Sequence, residues 1–142
     1  NVHLIIRFRP VRDLNLAEFK ELLVESESFT VRTDGSIDRF LLASNLLLSY
    51  GSAVIEEALQ NKIPVLQYDF DGKYCHIPAT QFNRDQRPQL DSCYYADSEE
   101  NLAIGLTWLM ENHLDNDKEN DVDWTRHFFY EKDIVDHFAS SK

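Results

Sequence analysis

The chain has 142 residues and a net charge of −11, because 14 Lys and Arg stand against 25 Asp and Glu. This length, with 43% hydrophobic residues, predicts a single domain over residues 1–142 with a real core. A strongly acidic surface repels a phosphate backbone, so we expect no nucleic-acid binding.

Short apolar runs alternate along the chain with segments of helical periodicity. The predicted strands are residues 2–8, 29–32, 45–49, 63–68 and 92–96. The predicted helices lie over residues 16–23, over 36–44, between Ser52 and Asn61, from Ser98 onward and over 124–138. A polar loop is predicted over residues 69–91 and an acidic linker over 115–123. This alternation predicts β-α-β units in an open, doubly wound, Rossmann-like α/β domain with a mostly parallel sheet in three layers. Residues 45–49 are nearly all apolar, which favours a strand buried on both faces.

The ends and the cysteines of the chain indicate its context. The first residue is not Met, and residues 2–8 lead directly into a strand, so we expect a fragment of a longer protein. No apolar run approaches the roughly 20 residues that a membrane span requires. Cys75 and Cys93 are too few for a disulfide framework, which favours buried thiols in a reducing, cytoplasmic compartment.

The most informative stretch is the turn after the strand at 45–49. Gly51 permits close backbone approach, and Ser52 and Ala53 then begin a helix. The free N–H groups of a helix terminus form an anion site suited to a phosphate or diphosphate, and the Ser52 hydroxyl adds a donor. Doubly wound sheets bind ligands at the carboxyl ends of their strands, where this turn would lie.

Two carboxylates follow within the same predicted helix. Glu56 and Glu57 can accept hydrogen bonds from sugar hydroxyls. The alternative is that Ser52 is only a helix cap and that both glutamates are surface charges near a favourable helix dipole. The residues alone leave both interpretations open.

Residues 50–59 (Tyr-Gly-Ser-Ala-Val-Ile-Glu-Glu-Ala-Leu) and 63–66 (Ile-Pro-Val-Leu) carry a family pattern. This arrangement resembles the carboxyl-terminal domain of GT-B glycosyltransferases. Two groups are especially similar: the glycerophosphotransferases of teichoic-acid synthesis, through residues 50–52 and Tyr68-Asp69, and the UDP-N-acetylglucosamine 2-epimerases, through residues 56–58. The resemblance covers residues 39–70 well and the rest loosely.

The resemblance implies roles for individual residues. In these relatives the Glu before the Ala holds the nucleotide ribose and the preceding turn holds the diphosphate, which implies Glu57 and residues 51–53 here. The loop after the next strand lies near the transferred group, which makes Asp69 a donor-site candidate. Arg9 is a candidate to compensate the donor phosphate charge, with Arg7 the weaker one and solvated strand-end arginines the alternative.

Two departures from the family pattern affect the expected chemistry. Retaining members often have another Glu eight positions before the ribose-binding one, where this chain has Ser49. Relatives often have His-Pro after the first strand, where this chain has Arg9-Pro10, so the acid/base His is absent. The resemblance therefore implies donor binding here and leaves the catalytic residues unassigned.

The implied function is the donor-binding half of a glycosyltransferase of surface-polysaccharide synthesis. Its partners would be a nucleotide-activated sugar or alcohol-phosphate donor and an N-terminal acceptor domain, with the full-length protein at the inner membrane surface. No cofactor and no metal are expected, since no His or Cys pair has zinc-ligand spacing. The alternatives are half of a nucleotide-sugar 2-epimerase and a non-catalytic nucleotide-sugar-binding module.

Overall fold

A computed structural model describes residues 2–7, 17, 28–32, 34–73, 77–82, 85, 88–113 and 122–125. The chain divides into two compact units, Asn1–Ala43 and Ser44–Lys142. Each unit is described by itself below. The prediction of one domain over residues 1–142 stays a prediction.

The first unit contains a parallel strand pair and a short helix. Strand β1 (Leu4–Arg7) pairs in parallel with β2 (Phe29–Arg32), with Ile5 opposite Thr30. Helix α1 (Ile37–Leu42) follows a turn at Gly35, whose φ of +88° is a conformation that glycine adopts without steric cost. These bounds agree with the predicted strands 2–8 and 29–32 and the predicted helix 36–44.

The second unit contains a four-stranded parallel sheet and two helices. In chain order its elements are β3 (Leu47–Ser49), α2 (Val54–Gln60), β4 (Val65–Tyr68), β5 (Thr80–Gln81), β6 (Cys93–Ala96) and α3 (Glu99–Asn112). The strand order is β3-β4-β6-β5, and each neighbouring pair is parallel. Parallel strands joined through helices confirm the Rossmann-like mixed α/β class.

The core of the second unit lies around β4 and β6. Leu66, Tyr94 and Ala96 are fully buried, and Phe82 and Leu109 pack with them. The Phe82 ring stacks on Tyr94 at a centroid distance of 5.0 Å. Such contacts add to the apolar burial that holds α3 onto the sheet.

The central strand β4 also buries a polar side chain. Gln67 is fully buried, and its Nε2 donates to the Cys93 sulfur at 3.2 Å and to the Ile77 carbonyl at 3.5 Å. Its Oε1 has no hydrogen-bond partner among the described residues. Gln67 therefore links β4 to β6 and to the segment around Ile77, which precedes β5.

Local hydrogen bonds and backbone conformation determine the helix ends in this unit. The Ser98 side chain accepts from the Asn101 N–H, which confirms Ser98 as the cap of α3. Helix α2 ends at Asn61, whose N–H bonds back to the Ala58 carbonyl at 3.0 Å. Lys62 then takes a positive φ of 56°, a common way for a helix to terminate.

Three expectations about the sheet differ from the structure. The described strands form two sheets, not one, and β5 lies within the predicted loop 69–91. The expectation that residues 45–49 form a strand buried on both faces is wrong, because β3 is an edge strand of its sheet and Leu48 is 42% exposed. The predicted helix 16–23, the acidic linker 115–123 and the predicted helix 124–138 fall wholly or mostly outside the described residues.

Candidate functional site

The candidate site is the carboxyl edge of the β3–β4 pair. Ser49 is opposite Gln67 in the parallel register, so the turn at residues 50–53 and the segment 69–70 leave neighbouring strands at the same edge. This is the place where doubly wound sheets bind ligands. The turn follows the carboxyl end of β3 and the β3–β4 pairing is parallel, as predicted, but the expectation that residues 45–49 lie inside the sheet is wrong, because β3 is at its edge.

Most backbone N–H donors at the start of α2 already have acceptors in the preceding turn. The Val54 N–H donates to Ser52 Oγ at 3.3 Å, the Ile55 N–H to the Ser52 carbonyl at 3.0 Å, and the Glu56 N–H to the Ala53 carbonyl at 3.2 Å. Within the described residues, the N–H groups of Ser52 and Ala53 themselves make no hydrogen bond. An anion at this turn would therefore meet these two donors and the exposed Gly51 rather than the first turn of the helix.

Ser52 has a structural role in this geometry. Its hydroxyl oxygen accepts the Val54 N–H, as a capping side chain does, and it is half-buried. The hydroxyl hydrogen stays available for a ligand oxygen, since a hydroxyl can accept and donate at once. The capping interpretation and the ligand interpretation are thus compatible.

Glu57 is half-buried on α2, and its neighbour Glu56 is exposed. Asn61 binds the Glu57 backbone carbonyl, through N–H at 3.2 Å and Nδ2 at 2.8 Å. The Glu57 carboxylate makes no hydrogen bond or ion pair with any residue that the structure describes. A carboxylate in this state can accept hydrogen bonds from the hydroxyls of a ligand.

Asp69 stabilises the turn after β4 through hydrogen bonds. It is 1% exposed, and its Oδ1 accepts the Asp71 N–H at 3.1 Å. Its carbonyl accepts the Tyr95 hydroxyl at 2.8 Å and the Gly72 N–H at 3.3 Å. This geometry favours a structural role for Asp69 and leaves its carboxylate little access to a donor.

The two arginine candidates belong to the first unit. Arg9 lies outside the described residues. Arg7 donates through Nη2 to the Gly35 carbonyl at 2.8 Å, and its guanidinium lies 5.6 Å from the centre of the Phe40 ring. These contacts engage the Arg7 side chain within the first unit.

Sequence reasoning missed two exposed aromatic residues at the same edge. Tyr50 is 50% exposed directly after β3, and Phe70 is 71% exposed two residues after β4. Large exposed apolar side chains at a ligand-binding edge can stack on a planar or apolar ligand surface. The available signal was the position of each aromatic residue immediately beyond the end of a parallel strand.

Carboxylates dominate the charge near this edge. Glu56 and Glu57 follow β3, Asp71 follows β4, and Asp97 follows β6. Lys73 is the described cation in these segments, and it pairs with Asp71 at 2.9 Å. The local field suits hydroxyl-rich ligand groups and opposes a bare diphosphate, so a charged donor needs cations from elsewhere in the protein.

Cysteine and metal-ligating side chains give no further candidate site among the described residues. Cys93 is buried and forms no disulfide with the described residues, whereas Cys75 and His76 lie outside them. Among the residues that the structure places, no group of three or more His, Cys, Asp or Glu is arranged to hold a metal ion. None of the described helices is both long and apolar enough to cross a membrane.

Comparison with known proteins adds no relative to these observations. The chain matches no protein-family model, no curated protein and no solved structure. The resemblance to GT-B glycosyltransferases therefore rests on the sequence pattern alone, which is best matched over residues 39–70.

Proposed function

We propose that the chain supplies the donor-binding half of a glycosyltransferase, which binds a nucleotide-activated sugar or alcohol phosphate at the carboxyl edge of β3 and β4. The observation that carries this proposal is the parallel β3–β4 pair, which brings the turn at residues 50–53 to one sheet edge with two exposed aromatic side chains. A nucleotide-activated donor combines a planar base, hydroxyl-rich rings and a diphosphate, and this edge offers a complementary group for each.

Each group has a proposed contact. Tyr50 and Phe70 offer aromatic surface to the base or to the apolar face of a sugar. The unpaired carboxylate of Glu57 accepts from ribose hydroxyls, in the role that the family resemblance implies. The N–H groups of Ser52 and Ala53 donate to the diphosphate, whose remaining charge is compensated by basic residues outside this edge.

The chemical contribution of this half is to bind and orient the donor. Backbone donors fixed by the β3–α2 turn stabilise the negative charge that develops on the diphosphate leaving group. The general base comes from the acceptor-binding half. The chain alone is therefore expected to bind nucleotide without turning over a donor.

The experiment is a calorimetric titration of the chain with UDP, CDP and GDP, with Phe70→Ala and Met110→Ala as the paired variants. Both side chains are exposed, Phe70 by 71% and Met110 by 39%, so neither truncation should disturb the core. Loss of base stacking by Phe70→Ala should weaken the preferred nucleotide about tenfold, within the roughly 1–3 kcal/mol of a base–aromatic contact. Met110→Ala, on α3, should bind as the wild type does.

Two results would contradict the proposal. The first is the absence of binding by all three nucleotides. The second is equal binding by wild type and Phe70→Ala together with unchanged amide resonances over residues 50–57. This result would show that the nucleotide does not bind at this edge.

A further inference from the structure

The first unit contains a cavity of about 550 Å³ between α1 and one face of the β1–β2 pair. It is lined by His3, which directly precedes β1, by Ile5 of β1, and by Thr30 and Arg32 of β2. Because Ile5 is opposite Thr30 and side chains alternate along a strand, these four residues share one face of the pair. The volume falls within the range of about 300–1,000 Å³ that small-molecule sites occupy.

Two guanidinium groups line this cavity. Arg32 ends β2 and Arg39 lies on α1, and both side chains are exposed. Neither makes an ion pair or a side-chain hydrogen bond with the part of the chain that the structure describes. Asp34 also lines the cavity, so the two arginines leave a net positive charge there before His3 is counted.

This positive cavity is unusual for so acidic a chain. Residues 1–43 contain six Lys and Arg against seven Asp and Glu, so nearly all of the net charge of −11 belongs to residues 44–142. The overall charge of the first unit is therefore close to zero and repels an anion far less than that of the second. Guanidinium groups favour phosphate and carboxylate oxygens in particular, because their planar donors match these groups bidentately.

Part of the cavity wall is apolar, through Ile5, Phe40 and Ala43. Phe40 is half-buried, and Arg7, anchored on the Gly35 carbonyl at 2.8 Å, lies over its ring at 5.6 Å. Ile5 on the strand face is also half-buried. A ligand bound between the two arginines would thus contact apolar surface with its non-ionic part.

We propose that this cavity binds a small phosphomonoester, with the phosphate between Arg32 and Arg39 and the organic group against Ile5 and Phe40. The terminal oxygens of a phosphomonoester can accept from both guanidinium groups at once. A monocarboxylate has only two oxygens, which match the planar donors of one guanidinium group. None of its residues belongs to the donor edge proposed for residues 44–142.

The test is an NMR titration of the full chain with phenyl phosphate, inorganic phosphate and benzoate as probes. Phenyl phosphate should bind in the millimolar range or tighter, as expected of a ligand with few atoms, and should shift the amide resonances of residues 30–43. Arg32→Gln and Arg39→Gln should each weaken it at least tenfold. Lys62→Gln, which removes an exposed cation of the second unit, should leave the affinity unchanged.

Each alternative outcome overturns a stated part of this proposal. Absence of shifts over residues 30–43 at millimolar phenyl phosphate overturns the site. Equal weakening by Lys62→Gln and Arg39→Gln also overturns it, because the binding then reflects overall charge. Tighter binding of benzoate overturns the phosphate assignment, and equal binding of inorganic phosphate overturns the contact with Ile5 and Phe40.

Discussion

Gly105 of α3 lies directly against the ring of Phe82. A Cβ added at Gly105 would come within 2.7 Å of Phe82 Cδ2 and 2.9 Å of Cε2. The ring is fully buried, stacked on Tyr94 at 5.0 Å and in edge contact with Trp108 at 5.8 Å, so it has little room to move. The absence of a side chain at residue 105 is what lets α3 approach the sheet this closely.

Gly105→Ala should therefore destabilise the fold although alanine is the better helix former. The gain in helix propensity is about 1 kcal/mol, and overpacking a core that cannot relax costs about 1–3 kcal/mol. We expect a net loss of about 1 kcal/mol in the free energy of unfolding, measured by urea denaturation. In a Phe82→Leu background, which vacates the contact, the same substitution should become neutral or stabilising. A stabilising effect of Gly105→Ala in the wild type would contradict the contact.

The Phe82 contact also shows what the sequence could not reveal. Phe82 follows β5 within a segment predicted as polar loop, and the two residues of β5 are too few for any alternation to be read. Long-range contacts hold this strand: the Thr80 hydroxyl donates to Asp91 Oδ2 at 2.6 Å, and the Gln81 amide donates to Asp97 Oδ2 at 2.9 Å. Periodicity reports only local pattern, so an element held in this way has no local signal.

The expectation for β3 was wrong for a related reason. An apolar run of strand length predicts burial but does not say how many neighbours the strand has. The same apolar residues, Leu47 and Leu48, could stand in a central strand, yet β3 is the edge strand of its sheet. The parallel pairing of β3 with β4 was predictable, because a helix of the β-α-β type separates the two strands.

At the candidate site, the local hydrogen bonds and the turn were easier to predict than which side chains are exposed to a ligand. The turn position and the hydrogen bond from the Val54 N–H to the Ser52 hydroxyl follow from residue type, and both are present, although α2 begins one residue later, with Ala53 at the cap position. The burial of Asp69 depends on Tyr95, which is 26 residues further along the chain and donates to the Asp69 carbonyl. The exposure of Phe70 likewise depends on the fold around it.

Tyr94 should make the stability of the protein sensitive to alkaline pH. Burial raises the pKa of its phenol above the ordinary value of 10, only partly offset by the Asp91 N–H, which donates to the phenol oxygen at 2.7 Å. Above pH 10 the unfolded chain releases this proton while the folded chain retains it. The stabilisation is therefore complete below pH 10 and is lost as the pH rises above that value, by up to about 1.4 kcal/mol per pH unit.

Tyr94→Phe provides the measurement. At neutral pH it should cost about 1–3 kcal/mol, because the buried Asp91 N–H loses its acceptor and the hydroxyl contact with His113 Nε2 at 2.6 Å disappears. Between pH 10 and 11, the difference in unfolding free energy between wild type and variant should shrink by about 1 kcal/mol. A difference that stays constant across this range would show that Tyr94 does not titrate differently in the two states.

Glu57 and Ser52 separate the ligand interpretation of the sheet edge from the capping interpretation. If Glu57 accepts ribose hydroxyls, Glu57→Ala should weaken nucleotide binding by about 1.5–3 kcal/mol, the scale of a charge-assisted hydrogen bond, or roughly tenfold or more. Ser52→Ala should weaken it by about 1 kcal/mol, since the backbone N–H groups of the turn remain. Because the Ser52 oxygen accepts the Val54 N–H, the same variant should also lose up to about 1 kcal/mol of stability as a cap is removed.

The matched control for Glu57→Ala is Glu56→Ala, which removes an equal charge from the exposed neighbouring position of the same helix. Calorimetric titration with UDP and CDP, beside thermal melts of all three variants, compares binding with stability. We expect Glu56→Ala to bind nucleotide as the wild type does and Glu57→Ala to melt close to the wild type, because no described residue pairs with its carboxylate. Equal affinity of Glu57→Ala and Glu56→Ala for a nucleotide that the wild type binds would reduce both glutamates to surface charges near the helix terminus and leave Ser52 as a cap alone.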